Sequence, residues 1–192
     1  MRGRMTTALT VAVLGGVLAL TGCGGESGNG GHGGDDGHGG GETMDHSTME
    51  HPMDGGPPPE GITDAVDPTY PVGSVVTLTA DHMAGMDGAR ATIVGAYDTY
   101  TYAVDYTPTT GGDPVTDHRW VVQQEIEDAG DQRLPDGTEV VLLADHMKGM
   151  RGAHATIAHS TDETVYMVDY EADGMTMTNH KWVVESEIEP AS

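Results

Sequence analysis

Phenylalanine is absent from these 192 residues, cysteine occurs once, and only eight basic residues stand against 31 acidic ones. Each shortage excludes something. A single cysteine forms neither an intrachain disulfide nor a closed zinc site built from thiolates. A formal net charge of −23 repels phosphate backbones and anionic lipid headgroups, so nucleic-acid binding is not a function of this chain. The same acidity suits cations, or a high-salt habitat. Without phenylalanine, two tryptophans and seven tyrosines must supply the large aromatic packing groups. No stretch sustains a 3.6-residue apolar stripe, which argues against a helical domain. No P-loop, dinucleotide fingerprint or Ser-His-Asp order is present, and no thiol is placed as a nucleophile, so the reading is non-enzymatic.

What is present begins with an export signal over residues 1–22. Arg2 and Arg4 form a short basic region, and Ala8 to Leu20 is apolar but too short and wrongly flanked for a stable membrane span. The stretch Leu20-Thr21-Gly22-Cys23 resembles the lipobox of bacterial lipoproteins. That resemblance implies that Cys23 is lipidated and becomes the first mature residue. It also implies an exported protein held on the outer face of the cell membrane by its acyl chains.

Residues 23–60 are dominated by glycine, with aspartate, histidine, methionine and proline. They offer too little apolar surface to offset the entropy of ordering, which predicts a disordered tether. Within it, residues 44–53 read MDHSTMEHPM. Met44, His46, Met49, His51 and Met53 are spaced so that a flexible chain can fold them around one ion. Thioether sulfur is soft and selects Cu(I) or Ag(I), while imidazole also takes Cu(II). Such strings resemble the Met/His-rich segments of bacterial periplasmic copper-resistance proteins.

The remainder is an internal repeat. Residues 73–106 align with 137–170, and TDHRWVVQQEIE at 116–127 aligns with TNHKWVVESEIE at 178–189. Each unit, about 55–60 residues, is near the lower limit for a self-supporting core. Val76, Leu78 and Ala80 alternate with Thr77 and Thr79, and Tyr100, Tyr102, Val104 and Tyr106 share one face. Short Val/Thr/Tyr/Ile runs punctuated by Gly, Asp and Pro predict strands. The expected fold is all-β: two tandem small SH3-like (alternatively OB-like) barrels after the tether, one over 61–128 and one over 129–190. Trp120 and Trp182 should each anchor one core, and EIE after WVV should be a tight turn into a short last strand.

The pattern Asp-His-Met-x-Gly-Met occurs at 81–86 and at 145–150. Its glycines permit turn conformations barred to other residues. Met83, Met86, Met147 and Met150 are suited to plugging irregular core gaps, and Asp81 and Asp145 to bonding the loop backbone. That structural reading is preferred; the alternative is a mixed hard–soft metal site in which each loop offers its Asp, its His (His82 or His146) and its two methionines. His118 and His180 read as turn or strand-edge histidines bonded to backbone, and His154 and His159 as surface residues. Asp105 and Asp169, in VDY, read as structural hydrogen-bonders or outward-facing groups.

The combined pattern DHMxGMxGAxATI…VYxVDY…HxWVVxxEIE resembles the YdhK-type bacterial lipoproteins, a family whose domain has no assigned function. The resemblance covers nearly all of residues 70–190 and implies an exported, tandem, β-rich protein. The expected function is therefore a membrane-anchored lipoprotein that binds copper or silver for sequestration or transfer. The alternative is a surface module whose barrels bind a wall polymer or a protein. It requires an exposed aromatic groove among Tyr97, Tyr100 and Tyr102, with Tyr166 as the second-repeat match.

Overall fold

The computed structural model describes residues 51–191. The export signal, Cys23, and Met44, His46 and Met49 of the tether lie outside the described residues, whereas His51 and Met53 lie within them.

The regular secondary structure of the described chain is almost entirely strand. In order come β1 (Thr63–Asp64), β2 (Val75–Leu78), β3 (Arg90–Asp98), β4 (Thr101–Tyr106) and β5 (Val115–Val122). After a 3-10 turn at Gln123–Glu125 follow β6 (Glu139–Val141), β7 (His154–Thr161), β8 (Val165–Ala172) and β9 (Met175–Val184). A second 3-10 turn, Glu185–Glu187, leads into β10 (Ile188–Pro190). The expectation of a tight turn and short last strand after WVV describes this ending. β2 and the first half of β3 alternate buried with partly exposed residues, as the sequence alternation requires.

The pairing, however, crosses between the repeats. One sheet has the order β10-β2-β3-β8-β9, with β1 also paired to β3. The other has the order β5-β4-β7-β6. Thus β2 and β3 of the first repeat complete a sheet with β8, β9 and β10 of the second, while β4 and β5 pair with β6 and β7. The repeats therefore do not fold as one barrel over 61–128 and another over 129–190; both fall within one compact unit. The turns give the physical reason. Between β8 and β9 stand Asp173 (φ 51°) and Gly174 (φ 78°), the Asp-Gly pair that a tight hairpin of the strand-matching hand demands. Between β3 and β4 stand only Thr99 and Tyr100, and between β7 and β8 Asp162, Glu163 and Thr164. None is glycine or asparagine, so the chain runs on into the other sheet instead of turning back.

The cores are exchanged in the same way. One contains Val76, Leu78, Met86 and Ile93 with Tyr166, Val168, Tyr170, Met177 and Ile188. The other contains Tyr102, Val104, Tyr106 and Ile126 with Leu142, Met147, Met150 and Ile157. Ile188 pairs with Leu78 and, symmetrically, Ile126 bridges Leu142. Trp120 and Trp182 do not anchor these two cores separately. They share a third cluster with Tyr97, Val122, Val165, Met167 and Val184.

Candidate functional site

The two DHMxGM loops adopt one geometry. Met86 N–H donates to the Met83 carbonyl at 3.2 Å, and Met150 N–H to that of Met147 at 3.1 Å. Gly88 and Gly152 close the loops by donating to Leu78 and Leu142 at 2.9 and 2.7 Å. The turn needs Gly85 and Gly149 twice over. Their φ angles are 76° and 80°, and an added Cβ would lie 2.6 Å from the side chains of Asp173 and Thr110 respectively.

These loops deliver His82 and His146 to carboxylates of the opposite repeat. His82 Nε2 lies 2.7 Å from Glu187 Oε1, and His146 Nε2 lies 2.8 Å from Glu125 Oε1. The second oxygen of each glutamate is also occupied. Trp120 Nε1 donates to Glu187 Oε2 at 2.9 Å, and Trp182 Nε1 donates to Glu125 Oε2 at 2.9 Å. Val184 and Val122 N–H add bonds of 3.1 and 3.2 Å to the same oxygens. Each 3-10 turn exists to aim its glutamate at this point. Burial opposes ionisation of Glu125, but the charge and hydrogen bond of His146, with the Trp182 and Val122 donors, outweigh it and hold the carboxyl below its usual range. For Glu187 burial is likewise outweighed, by the hydrogen bond and charge of His82 and by Trp120 and Val184.

The consequence lies on the other side of each ring. Whenever the ring is neutral with its Nε2–H donated to the carboxylate, its lone pair lies on Nδ1. In both His82 and His146 that Nδ1 is buried and has no hydrogen-bond partner among the described residues. A third imidazole is more extreme. His180 of β9 is 2% exposed, and neither of its nitrogens has a hydrogen-bond partner among the described residues. Its ring meets Tyr170 edge-on at 5.4 Å and lies 5.2 Å from that of His51. Burial pushes the His180 imidazole well below its usual pKa, and the charges of His51, His82 and His146 push the same way. His51 and His180 are thus ring neighbours. His118, the counterpart of His180, packs edge-on to Tyr106 at 5.9 Å and lies 6.2 Å from His146.

The methionines divide into two classes. Met86 and Met150 are wholly enclosed in the two cores, as plugs. Met83 and Met147 instead carry sulfurs that accept the hydroxyls of Tyr170 and Tyr106, each at 3.8 Å. Met53 is exposed. Among the described residues, no three histidine, cysteine or carboxylate side chains already surround one point closely enough to hold an ion. A metal would thus need a thioether in its ligand set, or a rotation of the rings.

The model for "Protein of unknown function (DUF1541)" matches residues 72–123 and again 136–185. The chain belongs to the DUF1541 family. A curated member, the "Uncharacterized protein YdhK" of Bacillus subtilis (strain 168), is 46% identical over 183 residues, covering 94% of this chain and 87% of that one. A crystal structure of the B. subtilis YdhK protein at 2.00 Å superposes with a TM-score of 0.70 at 49% identity, covering 78% of this chain and 99% of the other. A solution structure of the YdhK C-terminal domain gives a TM-score of 0.60 at 53% identity, covering 62% and 92%. This DUF1541 chain thus shares an all-β fold with solved relatives, and none of them brings an activity.

Several expectations are placed differently in this DUF1541 structure. His180 is a buried ring with no hydrogen-bond partner among the described residues, not a turn histidine tied to backbone. Asp145 is exposed and stands 3.9 Å from Arg151. The aromatic groove is not formed: Tyr97, Tyr102 and Tyr166 are all buried. Asp105 and Asp169 are structural hydrogen-bonders. They accept the N–H of Asp117 and Asn179, each at 2.7 Å, and both partners have φ of 51°. Each aspartate thereby pins the left-handed residue that precedes His118 or His180. The glutamates at 125 and 187 were legible only as turn residues. Their recurrence on a repeated polar position beside WVV was the available signal.

Proposed function

We propose that this protein binds copper through the histidine cluster formed where the two repeats exchange strands, with the Met/His tether as an outer capture segment. The observation that carries the reading is the pair of carboxylate-anchored imidazoles, His82–Glu187 and His146–Glu125, whose Nδ1 atoms are buried and have no hydrogen-bond partner among the described residues. Metal-ligating histidines almost always donate the opposite N–H to a carboxylate or carbonyl, which fixes the tautomer and makes the ring a better donor. A buried polar atom without a partner costs free energy, and an ion would recover it. His180 and the thioethers of Met83 and Met147 would complete a mixed imidazole–sulfur set, which suits copper in either oxidation state better than zinc. The acidic surface raises the local cation concentration.

In this reading the chain is an extracytoplasmic lipoprotein, anchored through Cys23 on the outer face of the membrane. It sequesters the ion or passes it to a membrane or wall partner. The test is an anaerobic Cu(I) titration of residues 24–192 against a chromophoric competitor. Two variants accompany it, one with alanine at Met44, His46 and Met49, the other with alanine at His82, His146 and His180. The expected result is that the cluster variant loses the tighter binding and the tether variant loses capacity. Unchanged binding by the cluster variant would overturn the assignment to these histidines, and no binding by the wild type would overturn the copper reading.

A further inference from the structure

Residues 51–56 precede both repeats, yet they dock on one of them. Asp54 bridges Thr178 in parallel register. Gly55 N–H donates to the Thr178 carbonyl at 2.9 Å, and Thr178 N–H donates back to the Met53 carbonyl at 2.9 Å. Asp54 Oδ1 accepts the Asn179 side-chain amide at 3.0 Å and Gly56 N–H at 2.8 Å. The approach is so close that a Cβ at Gly55 would lie 2.1 Å from the Asn179 carbonyl oxygen. No bridge to the equivalent stretch of β5 corresponds to this one among the described residues, so the docking is not a requirement of the repeated fold.

The docked segment has a histidine at its head. The rings of His51 and His180 lie 5.2 Å apart, inclined by 34°. His51 Nδ1 lies 3.0 Å from the carbonyl of Pro52. A proton there leaves the lone pair on Nε2, the atom a metal would take.

We propose that residues 51–56 are a strap that brings His51 to the buried cluster as a ligand, so that an ion bound by His180 leaves only after the strap undocks. This rests on the copper reading above and adds to it a gate and one further ligand. The competing account is that the strap merely covers the outer edge of β9, as proteins commonly protect exposed strand edges.

Gly55→Ala separates the two accounts, because it leaves every candidate ligand in place while its Cβ forces the strap off. Full-length mature protein, the same protein with Gly55→Ala, and the same with His51→Ala would be loaded anaerobically with Cu(I) and mixed with excess bicinchoninate in a stopped-flow instrument. Both variants should release copper about tenfold faster or more, with the Gly55→Ala stoichiometry unchanged, since effects at such contacts fall mainly on dissociation. In parallel, apo protein would be treated with diethylpyrocarbonate, and His180 modification followed by mass spectrometry. His180 should be protected in the wild type and modified in Gly55→Ala. Dissociation rates within about twofold of wild type would overturn the gate while leaving the copper reading intact, as would faster release with His180 still protected. Absence of copper binding by the wild type would overturn the copper reading and the gate with it.

Discussion

Truncating Glu125 to alanine should be among the most damaging single changes in this molecule, and its near-symmetric partner supplies the control. Glu125 accepts from three donors: His146 Nε2, Trp182 Nε1 and the Val122 amide. Glu187 accepts from the matching three, His82, Trp120 and Val184. Each donor left unsatisfied in a buried place costs about 1–3 kcal/mol, and breaking a buried charged pair typically costs about 3–5 kcal/mol in all. What differs is access to water. The His146 and Glu125 side chains are 6% and 7% exposed, those of His82 and Glu187 9% and 14%. Water can replace the lost carboxylate more readily at the second site. Glu125→Ala should therefore cost about 3–5 kcal/mol and Glu187→Ala about 1 kcal/mol less. Urea unfolding followed by tryptophan fluorescence measures both, with the denaturant slope checked for constancy. The reasoning fails if Glu187→Ala proves equally or more destabilising, or if Glu125→Ala costs under about 1 kcal/mol.

Three further outcomes are expected. Residues 61–128 and 129–192, made separately, should each lack the native near-UV dichroism and regain it when mixed; a native-like monomer from either alone would contradict the strand exchange. Met86→Leu and Met150→Leu, volume-conserving changes at fully buried plugs, should cost less than about 1.5 kcal/mol and leave copper affinity unchanged. Met83→Leu with Met147→Leu should weaken it, and competitor titrations of the two pairs distinguish plug from ligand. Asp169→Ala removes the acceptor that holds the left-handed Asn179, and should destabilise by about 1–2 kcal/mol and broaden the His180 ring resonances; unchanged resonances would show that His180 is positioned otherwise.

The strands were legible because period-two alternation and turn residues are local properties of the chain. Their partners were not. A strand such as Ala91-Thr92-Ile93-Val94 presents the same apolar face whether it packs on its own repeat or the other, and repeats that share their apolar pattern make the two choices chemically similar. The decision lay in short connectors, where Thr99-Tyr100 lacks the residues of a tight hairpin and Asp173-Gly174 has them. The site was half legible for the same reason. His82, Met83, His146 and Met147 announced themselves by repetition within one short string. Glu125 lies 21 residues before His146 and Glu187 lies 105 residues after His82, and only the exchange brings each glutamate to the other repeat's loop. His180 was misjudged because a histidine flanked by strand residues is usually wet or bonded, and its burial follows from the Tyr170 and His51 rings that close over it.

The exchange of strands also dictates an order of events during synthesis. A chain of independent beads completes its first bead before the second is made. Here β2 waits for β10, the last strand of all, and β4 waits for β7. The four-stranded sheet is complete once β7 is made, but the other sheet keeps β2 as an open edge until residue 190 has been added. Such edges attract other strands, and the low-pI, strongly negative chain supplies the repulsion that keeps neighbouring nascent copies from completing each other's sheets.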